Sequence, residues 1–194
     1  MSDFMINTSI ITPEQAVLRL VKGNEEYINS KNNNTDVSKS LREDAQDGQK
    51  PFAVILTCSD SRVPVEYIFS AGIGELFVVM TAGNVVNDFE LGTVEFGIRQ
   101  LGAKVVVIMG HRQCGAVAAA LEGTAEGYIA DIVDEIRSGI GKEKKAEKAE
   151  NLNIINSYNK ILKSTIVTEM LRAKEIDVLQ AKYDVQTGKV EFLN

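Results

Sequence analysis

The chain contains two cysteines and a single histidine, and all three fall in two short segments. The first is Thr57-Cys58-Ser59-Asp60-Ser61-Arg62 and the second is Gly110-His111-Arg112-Gln113-Cys114-Gly115. Thiolate sulfur and imidazole nitrogen are the ligands of tetrahedral zinc, so Cys58, His111 and Cys114 form a candidate ligand set. His111 and Cys114 stand three residues apart at the mouth of an expected helix, where both can turn towards one ion. The helix N-terminus is also expected to lower the Cys114 thiol pKa, favouring the thiolate. Three protein ligands leave the fourth position of a zinc site to water, the catalytic arrangement; a closed structural site would take Asp60 as the fourth. Asp60 also precedes Arg62 by two residues, and a guanidinium can hold a carboxylate through paired hydrogen bonds. A carboxylate so held can accept a proton from water at the open position and orient the hydroxide. The residues alone leave both roles of Asp60 open.

Competing chemistries find less support. A cysteine after an apolar strand is often only a small core side chain, but here every soft ligand of the chain meets at two strand ends. A redox pair would be expected at Cys-x-x-Cys spacing, which neither cysteine has. Gly72-Ile73-Gly74 lacks the third glycine of a dinucleotide fingerprint, and Gly83-Asn84 lacks the lysine of a phosphate loop. There is no Gly-x-Ser-x-Gly elbow, and the lone histidine is claimed by the metal reading, which excludes a Ser-His-Asp triad.

These segments need elements to hold them. Phe52–Thr57, Glu75–Met80 and Lys104–Met109 are short, continuously apolar runs, as in strands buried on both faces. Asp88–Leu101 has Leu91, Val94, Ile98 and Leu101 at helical spacing and stops at Gly102. Strands alternating with helices imply a parallel sheet with right-handed crossovers. Both candidate segments follow strands, and the carboxyl ends of parallel strands are where such sheets bind ligands. Thr12-Pro13-Glu14-Gln15 starts a helix to about residue 29, with Val17, Leu20, Val21 and Ile28 on one face. Residues 1–11 read as a loose arm, and 30–50 as a polar linker or surface wrap. A small-residue helix follows Cys114, another spans about Tyr128–Arg137, and Ser164 caps one through Leu171. Residues 141–150, of mixed charge, read as a solvated helix face or mobile loop. Ile176–Tyr183 and Val190–Leu193 flank a turn and read as paired strands. The expected fold is α/β: a mostly parallel β-sheet flanked by helices, with an N-terminal helical arm and a C-terminal antiparallel edge strand. One domain spans 1–194, with 1–50 as arm and wrap and 51–194 as core.

Length and composition agree with a single globular unit, 194 residues that are 44% hydrophobic and 25% charged. With 21 basic against 27 acidic side chains the net charge is −6, so neither nucleic acid nor a membrane is an expected partner. No run is long and apolar enough to span a bilayer. The first ten residues lack the pattern of a secretory signal, so the expected compartment is the cytoplasm.

Cys-Ser-Asp-Ser-Arg followed some 50 residues later by Gly-His-x-x-Cys-Gly resembles the β-class carbonic anhydrases. The likeness extends from Thr12 to Leu193. It takes in Ala82-Gly83-Asn84, Tyr183-Asp184 and Thr187-Gly188-Lys189-Val190-Glu191-Phe192. The resemblance implies zinc held by Cys58, His111 and Cys114, with Asp60 and Arg62 as the catalytic pair. The implied reaction is reversible hydration of carbon dioxide to bicarbonate and a proton, by attack of zinc-bound hydroxide. Gln49 matches a glutamine that donates its amide to substrate, often across a dimer interface, and Phe77, Ala82 and Phe96 match the apolar substrate pocket. A homodimer or homotetramer is implied, with the N-terminal helix packing on its partner. Met80 stands where relatives usually carry arginine. Ile55 replaces the tryptophan of members with a regulatory bicarbonate pocket, so that regulation is not expected. Two alternatives share the ligand set: hydrolysis of carbonyl sulfide or carbon disulfide, and a non-catalytic zinc-binding protein closed by Asp60.

Overall fold

A strand of aliphatic and β-branched residues without polar alternation has no face to give to water, so it belongs at the centre of a sheet. In the computed structural model, which describes residues 11–30, 35–123 and 125–193, β1 (Ala53–Cys58) and β3 (Val105–His111) are buried at every position. They are flanked by β2 (Leu76–Thr81) and β4 (Asp177–Tyr183), and β5 (Val190–Phe192) completes the order β2-β1-β3-β4-β5. The first four strands are parallel and β5 is antiparallel to β4, the sheet expected from the sequence. The chain runs from β1 to β2 on one side, then returns past β1 to lay down β3 on the other. The carboxyl ends of β1 and β3 therefore flank the point where strand order reverses and an open sheet leaves a crevice.

Helices cover both faces. Ile55, Val107 and Met109 pack towards α1 (Pro13–Asn29) and α3 (Val65–Ile68). The alternate residues Val54, Leu56, Val106 and Ile108 pack towards α4 (Asp88–Arg99), α7 (Ala146–Ile161) and α8 (Thr165–Arg172). Between α1 and β1 in the chain, α2 (Lys39–Asp44) is a short capped turn of helix. α5 (Gly115–Glu122) and α6 (Ile129–Ile140) close over the end of the sheet that carries Cys58 and Cys114. No described helix is long and apolar enough to cross a membrane.

Three local readings are corrected by packing. α1 starts at the expected capping box, with Thr12 and Gln15 exchanging hydrogen bonds. Its inward face, however, is Ala16, Leu20, Gly23 and Asn24, and Ile28 is exposed. Gly23 explains the rotation: a Cβ there would lie 1.9 Å from the Phe69 carbonyl oxygen, so only glycine permits this close approach. The 30–50 segment is not wholly irregular, since Ser38 caps α2; residues 1–10 and 31–34 lie outside the described residues. Residues 141–150 are not a wholly solvated stretch, because α7 begins at Ala146 and buries Ala149 and Glu150.

Candidate metal centre

β1 ends at Cys58 and β3 at His111, and Cys114 is the residue before the first turn of α5. These three buried side chains bring one ligand atom each within 4.8 Å of one another. The His111 Nδ1 lies 2.9 Å from the Arg112 carbonyl oxygen, which can only accept, so Nδ1 carries the proton and Nε2 the lone pair. That Nε2 is buried and has no hydrogen-bond partner. A buried polar atom left unpaired is costly, and a cation between Nε2 and the two sulfurs would satisfy it. The donors present thus fit a metal.

The two sulfurs lie 4.0 Å apart and cannot both be thiolates without a cation. The hydrogen bond from Cys114 holds the Cys58 thiol well below its ordinary pKa, with the Gly83 N–H adding to the effect. The same hydrogen bond, with burial, pushes Cys114 up. The net lowering expected at Cys114 is not found; the lowered thiol is Cys58 at the end of β1, and its main cause is the neighbouring sulfur rather than a helix N-terminus. The α5 N–H groups do act on Cys114 in the expected sense, but the neighbouring sulfur outweighs them.

Asp60 sits beside this group, with Oδ2 3.8 Å from His111 Nε2. Arg62 grips it: Nε donates to Oδ1 at 2.9 Å, Nη2 to Oδ2 at 2.8 Å, and the Arg62 backbone N–H to Oδ1 at 2.9 Å. This hydrogen bonding holds the Asp60 carboxyl far below the usual carboxylate range. Arg62 Nη2 also donates to the Gln113 carbonyl at 3.0 Å, so the second segment steadies the first.

Among the expected substrate residues, the structure brings only Ala82 to this end of the sheet. Cys58 pairs in register with Thr81, and Ala82 opens the 3-10 turn Ala82–Asn84 that follows. Phe77 pairs with Val54, four positions back along β1, or about 13 Å down the strand. It packs against Phe96, with ring centroids 6.1 Å apart. Gln49 is exposed and precedes the amino end of β1, the end opposite Cys58. Gln49, Phe77 and Phe96 are therefore not brought to the metal donors of their own chain.

The apolar-periodicity reading missed the supports of the site, which are polar. From α7, Asn153 Nδ2 donates to the Gly83 carbonyl at 2.7 Å and Ser157 Oγ to the Asn84 carbonyl at 2.8 Å. They fix the turn whose Gly83 N–H reaches Cys58 Sγ at 3.2 Å. Glu150, one turn earlier on the same helix face, accepts the Gln113 N–H at 2.8 Å.

Comparison with known proteins agrees with this geometry. The family profile described as Carbonic anhydrase matches residues 53–190. Carbonic anhydrase 2 of Mycobacterium tuberculosis is 30% identical over 188 residues, 91% of each chain. The carbonic anhydrase of Mycolicibacterium smegmatis is 30% identical over 191 residues, 93% of each. Among solved structures, the β-carbonic anhydrase CafA of Aspergillus fumigatus superposes with a TM-score of 0.70 at 30% identity, covering 80% of this chain and 81% of that one. One of the tetrameric β-carbonic anhydrases of Sordaria macrospora shares the fold at 21% identity, with a TM-score of 0.71 and 79% and 86% covered. With a profile spanning most of the chain, relatives alike over nearly their whole length and a matching Cys-His-Cys group, the chain belongs to the β-class carbonic anhydrases.

Proposed function

We propose that this carbonic anhydrase interconverts carbon dioxide and bicarbonate with zinc held by Cys58 Sγ, His111 Nε2 and Cys114 Sγ. The observation that carries the reading is the buried, unpartnered Nε2 of His111 facing two sulfurs, with all three donors within 4.8 Å. Zinc, when bound, supplies a Lewis acid that makes hydroxide available near neutral pH. The remaining work falls to side chains. Asp60 stays ionised through the working pH range because Arg62 donates to both its oxygens. It therefore serves as a hydrogen-bond acceptor that orients the nucleophile, and it is too weak a base to keep a proton itself. Occupied by Arg62, the carboxylate is held back from closing the site, which supports the catalytic reading over the zinc-storing one.

The apolar wall for carbon dioxide is assigned to Ala82 from the same chain and to Phe77 and Phe96 from a second copy, with Gln49 of that copy donating its amide. Support comes from their distance from their own donors and from the half-exposed Phe96 ring. β2 is an edge strand of the described sheet, and an edge with exposed apolar neighbours is suited to pairing with another copy. A homodimer, or a tetramer as the Sordaria macrospora neighbour is described, acting in the cytoplasm completes the proposal. The test is metal analysis of the purified protein beside stopped-flow hydration of carbon dioxide, with carbonyl sulfide and carbon disulfide as competing substrates. About one zinc per chain and a preference for carbon dioxide is expected; a zinc-loaded protein without hydration activity would overturn the reading.

A further inference from the structure

Behind the site lies a buried ion pair that none of the steps above uses. Glu150 on α7 and Lys182 on β4 are each 6% exposed, with Lys182 Nζ 2.8 Å from Glu150 Oε2. Lys182 Nζ also donates to Asn151 Oδ1 at 2.8 Å and to the Glu147 carbonyl at 3.2 Å, so its three donors are used. A buried pair of this kind is rarely a net source of stability, because desolvation of both charges offsets their attraction. What it does here is geometric. The other carboxylate oxygen, Oε1, takes the Gln113 N–H at 2.8 Å. Gln113 has a φ of +58°, a left-handed conformation that side chains other than glycine adopt at some cost. In that conformation its N–H points back to Glu150 while its carbonyl points forward to Arg62 Nη2 at 3.0 Å.

We infer that Glu150, steadied by Lys182, is a positioning residue: by accepting the Gln113 N–H it holds the left-handed Gln113 backbone, so that the carbonyl of the next peptide group keeps Arg62, and through it Asp60, in place. The inference rests on the hydratase reading. Arg62 is about half exposed, at 48% for its side chain, so the Gln113 carbonyl is its one described anchor besides Asp60 itself. Without the Glu150 acceptor the peptide is free to leave the left-handed region, and the guanidinium loses its fixed point.

Two double variants separate the acceptor oxygen from the charge pair. Glu150→Leu with Lys182→Met replaces the pair by apolar side chains of similar size, a change that commonly keeps or raises stability. Glu150→Gln with Lys182→Met removes both charges but keeps an oxygen for the Gln113 N–H. Three readouts are taken on zinc-loaded protein: thermal midpoint, amide hydrogen exchange at Gln113, and kcat/KM for carbon dioxide. In the Leu/Met variant, fast exchange at Gln113, an unchanged or higher midpoint and a loss of about tenfold or more in kcat/KM are expected, the scale set by small misplacements of reacting groups. In the Gln/Met variant, protection at Gln113 and a rate within about threefold of wild type are expected. A Leu/Met protein that exchanges fast yet keeps its rate overturns the inference alone. A Gln/Met protein with Gln113 protected but the rate lost overturns it too, and does so even if the Leu/Met protein does not fold. An inactive wild type would overturn the hydratase reading and the inference together.

Discussion

At the scale of single residues, the proposed mechanism has Asp60 and Arg62 decide whether the centre is open or closed. Three donations from Arg62 to Asp60 compete with any approach of the carboxylate to the metal. Arg62→Ala should release Asp60 to take the fourth position, so the protein keeps its zinc and loses most of its activity. Asp60→Asn should also keep zinc, but it removes the charged acceptor, and a loss of about a hundredfold is expected for an orienting group of this kind. The wild-type pH profile follows from charge. Two thiolates and a neutral imidazole bring a zinc dication close to neutrality, so it acidifies water less than the three-imidazole site, where the water pKa is about 7. Activity should therefore rise on the alkaline side of neutrality. Rate–pH profiles of wild type and both variants at matched zinc content check this. A flat wild-type profile between pH 6 and 9, or ordinary rates in both variants, would remove the pair from the mechanism.

At the scale of elements, α7 is the support on which the site's two loops rest. Its inward residues Glu150, Asn153 and Ser157 are polar and buried, and they bind the Gln113 peptide and the Ala82–Asn84 turn. The turn depends on Gly83, whose φ is +68°. A Cβ there would stand 2.8 Å from Ile136 Cδ1 and 3.0 Å from Ala116 Cβ, so α5 and α6 would have to yield. Gly83→Ala should destabilise the fold by about 1–3 kcal/mol from backbone strain and overpacking. It should also weaken zinc retention, because the Gly83 N–H steadies Cys58 Sγ. Urea unfolding with a competing chelator measures both; an alanine variant with wild-type stability and zinc retention would show that the turn is not under this constraint.

At the scale of the whole molecule, composition limits how the proton leaves. The chain's single histidine faces the metal site, so no second imidazole is present to carry protons at neutral pH. Turnover at saturating carbon dioxide should rise with buffer concentration, most steeply in imidazole-type buffers. Rates independent of buffer would assign export to another group. Assembly is the second property of this scale. Phe89 is 86% exposed and Phe96 49%, both on α4, and Met80 on the β2 edge is 44% exposed. If Gln49 serves a partner's site, Gln49→Ala and Asp60→Asn subunits should complement when refolded together. Each mixed dimer then has one site with both defects and one with none, so about a quarter of wild-type activity should return under random pairing of a symmetric dimer. No recovery in verified mixed dimers would place Gln49 outside the partner's site.

The sequence by itself determined the strands and the ligand candidates, and the reason is local. Continuous apolar runs can be satisfied only inside a sheet, and each observed strand lies within two residues of its run. Cys58, His111 and Cys114 were legible because soft ligands are so scarce in this chain that their clustering at two strand ends carries information. Asp60 and Arg62 were legible because two residues of spacing already permit the paired hydrogen bonds. What only the tertiary structure decided involves partners distant in sequence. The inward face of α1 turned on the Gly23 approach to Phe69, which periodicity of apolar residues does not register. α7 was obscured because the face it buries is polar, and a buried glutamate looks like a solvated one until Lys182 from β4 is seen beside it. The opposite pKa shifts of the two cysteines came from the hydrogen bond between their sulfurs, a contact between residues far apart in sequence. The separation of Gln49, Phe77 and Phe96 from their own metal donors followed from strand register. A motif names the residue types; it takes the register of paired strands to say which end of the sheet each one can reach.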